Sequence, residues 1–264
     1  MPGVAVMPVT AGSERYGWGM DPDAPGIGDA FGEALLSHLD RGDEGWHAVE
    51  RDDGYVDVMP ASVYFGDIDA WSPAELPAIE MVRGRVLDVG AGAGRATLHL
   101  QENGIDATAL DVSAGAIEVC RRRGVKQVWL GAVEDLVGQS PAGFDTFLLL
   151  GNNLGLIGSP QAAPGWFDAL RRLATPEARL IGTTIDPYLT DDLDHLEYHQ
   201  QNRRRGRMPG QVTIRSRYRA LATDWIDLLW VSIDELRAIV EPEGWDLTDH
   251  WSDGPIQTVA LAMQ

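Results

Sequence analysis

Three glycines at alternate positions follow directly on an apolar segment of the chain. Residues 85–89 have the near-continuous apolar character of a central strand, and Gly90, Gly92 and Gly94 come next, ahead of a helix-favouring segment. Glycine has no Cβ atom, so the backbone of such a turn can itself contact a ligand. A second apolar segment ends at Asp111, 21 residues after Gly90, where a carboxylate can accept hydrogen bonds from a ribose diol. The pattern predicts a site for a nucleotide-like ligand.

The residues after the glycines narrow the choice of ligand. A dinucleotide fingerprint read from Gly90 requires a small residue at position 95, which is Arg95, and read from Gly92 it requires one at position 97, which is Thr97. Both registers therefore disfavour a pyrophosphate-binding turn. An NAD(P)-dependent oxidoreductase is kept only as a less favoured alternative.

Four segments in order resemble the motifs of class I S-adenosylmethionine-dependent methyltransferases. Asp88 followed by G-x-G-x-G is similar to motif I, and ALDVS at 109–113 to the second motif. VEDL at 133–136 resembles the adenine-side loop, and FDTFLLLGNNLGLIG at 144–158 the fourth motif. The resemblance implies a Rossmann-like α/β fold and S-adenosylmethionine as the cofactor, with S-adenosylhomocysteine as its product.

The resemblance also implies a set of cofactor-binding residues. Asp88 would support the glycine turn, Gly90 and Gly92 would pass beneath the cofactor, and Asp111 would bind the ribose. Ala132 replaces the acidic residue that often binds the adenine amino group, so Glu134 or a backbone carbonyl would take that role. The full predicted set is Asp88, Gly90, Ala91, Gly92, Asp111, Val112, Val133, Glu134, Leu150, Gly151, Asn152 and Tyr64. Tyr64 either closes over the cofactor or anchors an N-terminal cap to the core.

The net charge of −19 argues against nucleic acid as a partner, because nucleic-acid binders need basic surface to release phosphate counterions. Residues 151–154 read Gly-Asn-Asn-Leu, without the Asn/Asp-Pro-Pro-Tyr/Phe signature of enzymes that methylate base amines. The small-molecule branch of the family is therefore favoured.

Charge is unevenly distributed along the chain. Residues 1–80 hold 16 acidic and 3 basic residues, whereas 198–223 hold seven arginines and no acid. Arg215, Arg217 and Arg219 alternate along a predicted strand, and all three would share one face. Together with Arg203, Arg215 and Arg217 would form a clamp for a carboxylate or phosphate of the acceptor. The alternatives are a solvated edge strand and an intersubunit contact with the acidic segment, as in a homodimer.

The predicted fold is α/β: a doubly wound, mainly parallel seven-stranded sheet with an antiparallel last strand. We expect an N-terminal cap over 1–80, with a helix at about 28–39 and a hairpin within 46–66, and a core over 81–264 with an acceptor lid inserted at about 186–231. Ser72 to Glu75 and Ser232 to Glu235 read as capping boxes that open helices, and Ser113 stands at the N-cap position of the helix over 114–123. Within the lid, residues 211–219 and 224–231 are expected to pair as strands. Expected core strands are 85–89, 107–111, 127–130, 144–150, 178–185, 246–251 and 257–263. Expected core helices are 95–102, 114–123 and 164–173.

Candidate catalytic bases lie in the lid or at strand ends. His195 is the first choice, followed by Asp186 and Tyr188. His195 and His199 are four residues apart, a spacing that suits zinc, but no third ligand of clear geometry is near, so no metal is expected. A base is needed only if the acceptor must lose a proton before methyl transfer.

The sequence as a whole favours methyl transfer from S-adenosylmethionine to an oxygen or nitrogen of a small molecule, such as a secondary metabolite. The alternative from another class is a non-catalytic S-adenosylmethionine-binding subunit. No apolar run approaches the roughly 20 residues that span a bilayer, and residues 1–20 lack a basic region ahead of a long apolar stretch. We therefore expect a cytoplasmic protein with no membrane partner.

Overall fold

Two sheets organise the chain in the computed structural model, which describes residues 25–42, 44–139 and 143–264. The larger one, called here the core sheet, has seven strands. In spatial order they are β12 (Trp245–Asp253), β13 (Ile256–Met263), β8 (Ala174–Ile185), β7 (Phe144–Leu149), β4 (Val86–Val89), β5 (Ala107–Asp111) and β6 (Val128–Leu130).

The core sheet has the predicted Rossmann-like arrangement. Neighbouring strands from β8 through β6 pair in parallel, and β13 runs antiparallel to both β8 and β12. Every residue of β4 and β5 is buried, because helices cover both faces of a parallel sheet. The carboxyl ends of β4, β5 and β7 therefore meet at one edge, where this fold class binds its ligands.

Five helices belong to the core: α3 (Arg95–Glu102), α4 (Ala114–Arg123), α5 (Val133–Leu136), α6 (Ala163–Leu173) and α8 (Ile233–Val240). The side chain of Ser113 caps α4 by accepting a hydrogen bond from the Ala116 amide, as predicted. Gly124 ends the same helix in the left-handed conformation. Ser232 and Glu235 form the predicted capping box of α8.

The second sheet, called here the cap–lid sheet, joins segments that are distant in sequence. Its strands are β1 (Gly26–Ile27), β2 (His47–Arg51), β3 (Val56–Met59), β9 (Gln211–Tyr218), β10 (Leu221–Ala222) and β11 (Ile226–Leu229). The β2–β3 hairpin and the antiparallel β9–β11 pair were both expected from the sequence. The pairing of β2 with β9 was not, and it makes the predicted cap and lid parts of one sheet.

Helices α1 (Ala30–Arg41), α2 (Leu76–Glu80) and α7 (Leu193–Arg204) complete the cap and lid. The prediction that Ser72 opens a helix is wrong. Residues 73–75 form a turn, and α2 begins only at Leu76. The Glu75 carboxylate is instead directed into the core, as described below. No helix in the described part of the chain is both long and apolar enough to cross a membrane.

Helix α1 docks on α4 at two glycines. A Cβ atom on Gly115 would lie 2.6 Å from the Cα atom of Gly32, so the two backbones are in direct contact. Asp29, the N-cap of α1, accepts hydrogen bonds from the Gly32 amide (2.9 Å), the Ser113 hydroxyl (2.8 Å) and the Gly115 amide (2.7 Å). One carboxylate therefore caps both helices, and it fixes the cap beside the end of β5.

Candidate functional site

The glycine turn connects β4 to α3 with a backbone that other residues cannot easily adopt. Gly90, Gly92 and Gly94 have φ angles of +72°, +57° and +77°, in the left-handed region that favours glycine. The amides of Gly90 and Ala91 both donate to the carbonyl of Leu110, which ties the turn to β5. The resulting surface at the strand ends has no Cβ atom at these three positions.

Asp111 ends β5 beside this turn. Its carboxylate accepts hydrogen bonds from the amides of Gly92 and Ser113, both at 2.9 Å. The residue is buried, and burial raises the pKa of its carboxyl group above the ordinary value. A carboxylate held at the end of the second strand, next to a Cβ-free turn, matches what a ribose diol requires.

Asp88 supports the turn from beneath. Its carboxylate accepts hydrogen bonds from the hydroxyl (2.7 Å) and the amide (3.2 Å) of Thr97 in α3. Burial raises the pKa of Asp88 to about 6. The side chain therefore joins the strand before the turn to the helix after it.

Arg95, the residue that breaks the dinucleotide fingerprint, has a structural partner. Its guanidinium lies 2.6 Å from the Glu75 carboxylate and 4.7 Å from the centre of the Trp71 ring. The same Glu75 oxygen accepts a hydrogen bond from the Gly151 amide at 2.9 Å. Glu75 thus joins the cap, the glycine turn and the end of β7. Sequence reasoning assigned this residue to a capping box and missed the role.

The end of β7 lies on the other side of the turn. The side-chain Nδ2 of Asn153 donates to the carbonyls of Val89 (3.2 Å) and Gly90 (2.8 Å), and a Cβ atom on Gly90 would lie 2.4 Å from that nitrogen. Asn152 has a φ of +65°, and its side-chain oxygen is buried with no hydrogen-bond partner among the described residues. Leu150 packs in the core with Trp71. Asn153, which is outside the predicted set, thus contacts the turn directly, and Gly151 is linked to the turn through Glu75 and Arg95.

The predicted adenine side divides into buried and exposed residues. Val112 is 72% exposed directly after Asp111. Val133 packs into the hydrophobic core with Leu110 and Leu136, while Glu134 is exposed on the short helix α5. Val112 and Glu134 therefore offer accessible side chains on this side, whereas the Val133 side chain does not.

Aromatic side chains of the cap cover the glycine turn. A Cβ atom on Gly92 would lie 3.6 Å from the Tyr64 ring and 3.9 Å from the Phe31 ring. The two rings meet edge to face at 5.0 Å, and His47 lies 5.8 Å from each. Burial raises the pKa of the Tyr64 hydroxyl to about 12. Tyr64 thus lies against the turn, whereas no sequence signal identified Phe31 or His47 as neighbours of the turn.

The three predicted catalytic residues lie in the lid. His195 packs edge to face on Tyr55, with their ring centres 5.1 Å apart, and has Thr190 within 3.5 Å. Asp186 accepts a hydrogen bond from the Tyr188 amide, and the Tyr188 hydroxyl donates to Glu235 at 2.5 Å. Asp186 and Tyr188 are thus close to each other, and His195 contacts the tip of the β2–β3 hairpin.

The predicted arginine clamp has a partner within the chain. Glu50 in β2 lies 2.9 Å from Arg215 and 3.4 Å from Arg217, and Arg215 also stacks on Trp225. Hydrogen bonding to Arg215 lowers the pKa of Glu50. Arg203 is exposed on α7. Two of the three arginines therefore join the acidic and basic segments inside one molecule. Across the residues that the structure describes, no cluster of His, Cys, Asp or Glu could hold a metal ion.

These features define an α/β protein with a glycine turn and an acidic strand end, an arrangement that suits a nucleoside-like ligand. Residues 86–177 match the family described as methyltransferase domain, the same segment that forms the turn and the strand ends. Over this segment the chain is therefore similar to methyltransferase domains.

Solved structures and a curated sequence are also similar to this chain. A solved S-adenosylmethionine-dependent methyltransferase from Bacteroides fragilis, in complex with S-adenosylhomocysteine, is 27% identical, with a TM-score of 0.76 over 89% of this chain and 94% of that one. The CcbJ methyltransferase from Streptomyces caelestis shares the fold, with 14% identity and a TM-score of 0.56 over 77% of this chain and 95% of that one.

A ubiquinone biosynthesis O-methyltransferase from Xylella fastidiosa is 34% identical over 107 residues, which is 39% of this chain and 42% of the relative. The chain thus matches less than half the length of that curated relative.

Proposed function

We propose that the chain binds S-adenosylmethionine at the glycine turn and transfers its methyl group to a small-molecule acceptor. The observation that carries this proposal is the juxtaposition of the Cβ-free turn at Gly90 and Gly92 with the Asp111 carboxylate. When bound, S-adenosylmethionine supplies an electrophilic methyl group on a sulfonium. The protein's task is then to hold the acceptor in line with that group, since orientation alone lowers the barrier by several kcal/mol.

The residues at the strand ends fit the cofactor. Gly90 and Gly92 would lie under it, Asp111 would hold the ribose, and Val112 with Glu134 would border the adenine. The methionine end would lie toward Gly151 and Asn152, and Asp88 would stabilise the turn through Thr97. Tyr64 would cover the cofactor from the cap side.

A small-molecule acceptor is supported by the net charge of −19, which disfavours a polyanion. Methylation of an oxygen is supported by the Xylella relative, an O-methyltransferase. An acid group on the acceptor would have to compete with Glu50 for Arg215 and Arg217, so of the predicted clamp Arg203 is the member most accessible to it. A homodimer remains a prediction.

Calorimetric titration with S-adenosylhomocysteine tests the cofactor site. We expect binding by the wild type, no binding of NAD(H) or NADP(H), and a loss of affinity of tenfold or more in Asp111→Ala, because a charge-assisted hydrogen bond contributes about 1.5–3 kcal/mol. Asp106→Ala is the matched control, since Asp106 is exposed just before the other end of the same strand. If neither S-adenosylhomocysteine nor S-adenosylmethionine binds the wild type, the proposal is wrong.

The same protein distinguishes an enzyme from a non-catalytic binding subunit. An enzyme should form S-adenosylhomocysteine from S-adenosylmethionine faster when a mixture of small phenols and amines is added. Tight cofactor binding with no acceptor-dependent product from such a mixture would favour the binding subunit.

A further inference from the structure

His47 is a buried imidazole without a hydrogen-bonding partner. It is the first residue of β2, it is 1% exposed, and neither Nδ1 nor Nε2 bonds to any described residue. A buried polar group without a partner costs free energy, and nearly all buried polar groups in folded proteins are paired. Such a side chain needs an explanation, and a ligand that bonds to it is one.

His47 lies close to the glycine turn, where the cofactor is proposed to bind. Its ring is 5.8 Å from both Phe31 and Tyr64, and these two rings are the ones that lie against Gly92. His47 is therefore separated from the glycine turn by a single layer of aromatic rings. If bound cofactor displaced the Tyr64 ring, the space left by the ring would border His47. The Tyr64 hydroxyl donates to the weakly accepting sulfur of Met59 at 3.2 Å.

The surroundings keep the imidazole neutral in the free protein, and a phenolate formed beside it would favour the protonated form again. Burial lowers the pKa of His47, and the Asp57 carboxylate on the neighbouring strand β3 opposes that shift only in part. A neutral imidazole has one nitrogen that can accept a proton. Aromatic walls around it suit a flat acceptor whose reacting group is a hydroxyl.

We propose that His47 binds the hydroxyl of an aromatic acceptor and takes its proton during methyl transfer. This inference rests on the proposed function and specifies its acceptor class. The hydroxyl proton passes to an imidazole nitrogen, the acceptor oxygen forms a bond to the methyl carbon, and the carbon–sulfur bond breaks with its electron pair left on sulfur. His47, rather than the predicted His195, is then the general base.

Binding of 4-nitrophenol to the protein saturated with S-adenosylhomocysteine tests this role, because its phenolate absorbs visible light and the neutral phenol does not. At a pH where the free phenol is mostly protonated, the wild type should bind it and raise the phenolate absorbance. His47→Gln keeps a polar side chain that cannot take up a proton. We expect it to lose the absorbance change and to weaken binding about tenfold. His250→Gln, on the exposed strand β12, should behave as the wild type.

The outcomes separate this inference from the proposed function. Unchanged S-adenosylhomocysteine affinity in His47→Gln, with the 4-nitrophenol signal lost, supports both. A signal that survives in His47→Gln, or that is absent in the wild type while S-adenosylhomocysteine binds, overturns the role of His47 alone. No S-adenosylhomocysteine binding by the wild type overturns the proposed function first.

A labelling experiment on the wild type tests the same role if the His47→Gln variant does not fold. In wild-type protein with 13C-labelled histidine, the His47 ring signal should shift when 4-nitrophenol is added to the S-adenosylhomocysteine complex. A shift confined to His195 would contradict the proposal.

Discussion

The two sheets each hold a carboxylate, and their surroundings shift the pKa values of the two groups in opposite directions. In the core sheet, Asp88 is buried against α3, and burial raises its pKa to about 6. In the cap–lid sheet, Glu50 faces Arg215 and Arg217, and hydrogen bonding to Arg215 lowers its pKa. The core sheet thus excludes water from a carboxylate that serves the glycine turn. The cap–lid sheet joins distant segments through paired charges.

This difference predicts opposite responses to acid. Protonation relieves the burial cost of Asp88, whereas it removes the charge on Glu50 that attracts two arginines. Mild acid should therefore favour the local structure under the turn, whereas the cap–lid sheet should weaken only when the pH falls below the ordinary pKa of a glutamate. Because the cap holds Tyr64 over Gly92, we expect that stronger acid also loosens the cover of the proposed site.

Asp88→Asn gives the largest expected effect. The folded-state pKa lies above the unfolded value, so ionisation of Asp88 costs the wild type stability as the pH rises from about 4 to about 6, up to about 3 kcal/mol. The amide cannot ionise, and its oxygen can still accept from Thr97. The unfolding free energy of the variant relative to the wild type should therefore rise from about pH 4 to about pH 7 in urea titrations. A difference that does not vary with pH would contradict the burial account; the exposed Asp106→Asn is the control.

Gly115→Ala and Gly165→Ala should change the unfolding free energy by intermediate amounts and in opposite directions. Both glycines are helical, but a Cβ atom on Gly115 meets the Gly32 backbone at 2.6 Å, while one on Gly165 meets nothing within 4 Å. Overpacking should cost Gly115→Ala about 1–3 kcal/mol of unfolding free energy. Gly165→Ala should gain about 0.5–1 kcal/mol from helix propensity. Equal effects in urea unfolding would mean that α1 does not dock on α4 as described.

Glu50→Gln gives the smallest expected effect. It leaves Arg215 and Arg217 without their carboxylate, and we expect a loss of about 1 kcal/mol at neutral pH. The lowered pKa means that this contribution is present above the unfolded pKa and is lost as the pH falls through the folded one. The loss should therefore shrink in acid. Glu44→Gln, at an exposed position before β2, serves as control, and an equal loss in both variants would argue against the ion pair.

The core could be predicted from the sequence, whereas the cap–lid sheet could be predicted only in pieces. Helices α3 and α4 and strand β5 have the predicted boundaries because local apolar patterns, the Ser113 cap and the glycines all specify the same structure. Strands β2 and β9 were foreseen separately. Their pairing places Glu50 opposite Arg215 across 165 positions of chain, and no local pattern encodes such a contact.

The candidate site shows the same difference between residues of the core and residues of the cap. The positions of Gly90, Gly92 and Asp111 follow from motif spacing. His47 and Glu75 do not, because their roles depend on where the cap rests on the core. Glu75 also carries a local signal, the capping-box spacing from Ser72, that points to the wrong structure; its contacts with Arg95 and Gly151 decide its conformation.

The most direct test of the central claim is a crystal structure of the protein with S-adenosylhomocysteine. We predict that the ribose hydroxyls bond to the Asp111 carboxylate and that the ligand lies across Gly90 and Gly92, with the Tyr64 ring displaced from Gly92. A ligand bound elsewhere, or one that leaves Asp111 bonded only to the Gly92 and Ser113 amides, would contradict the account.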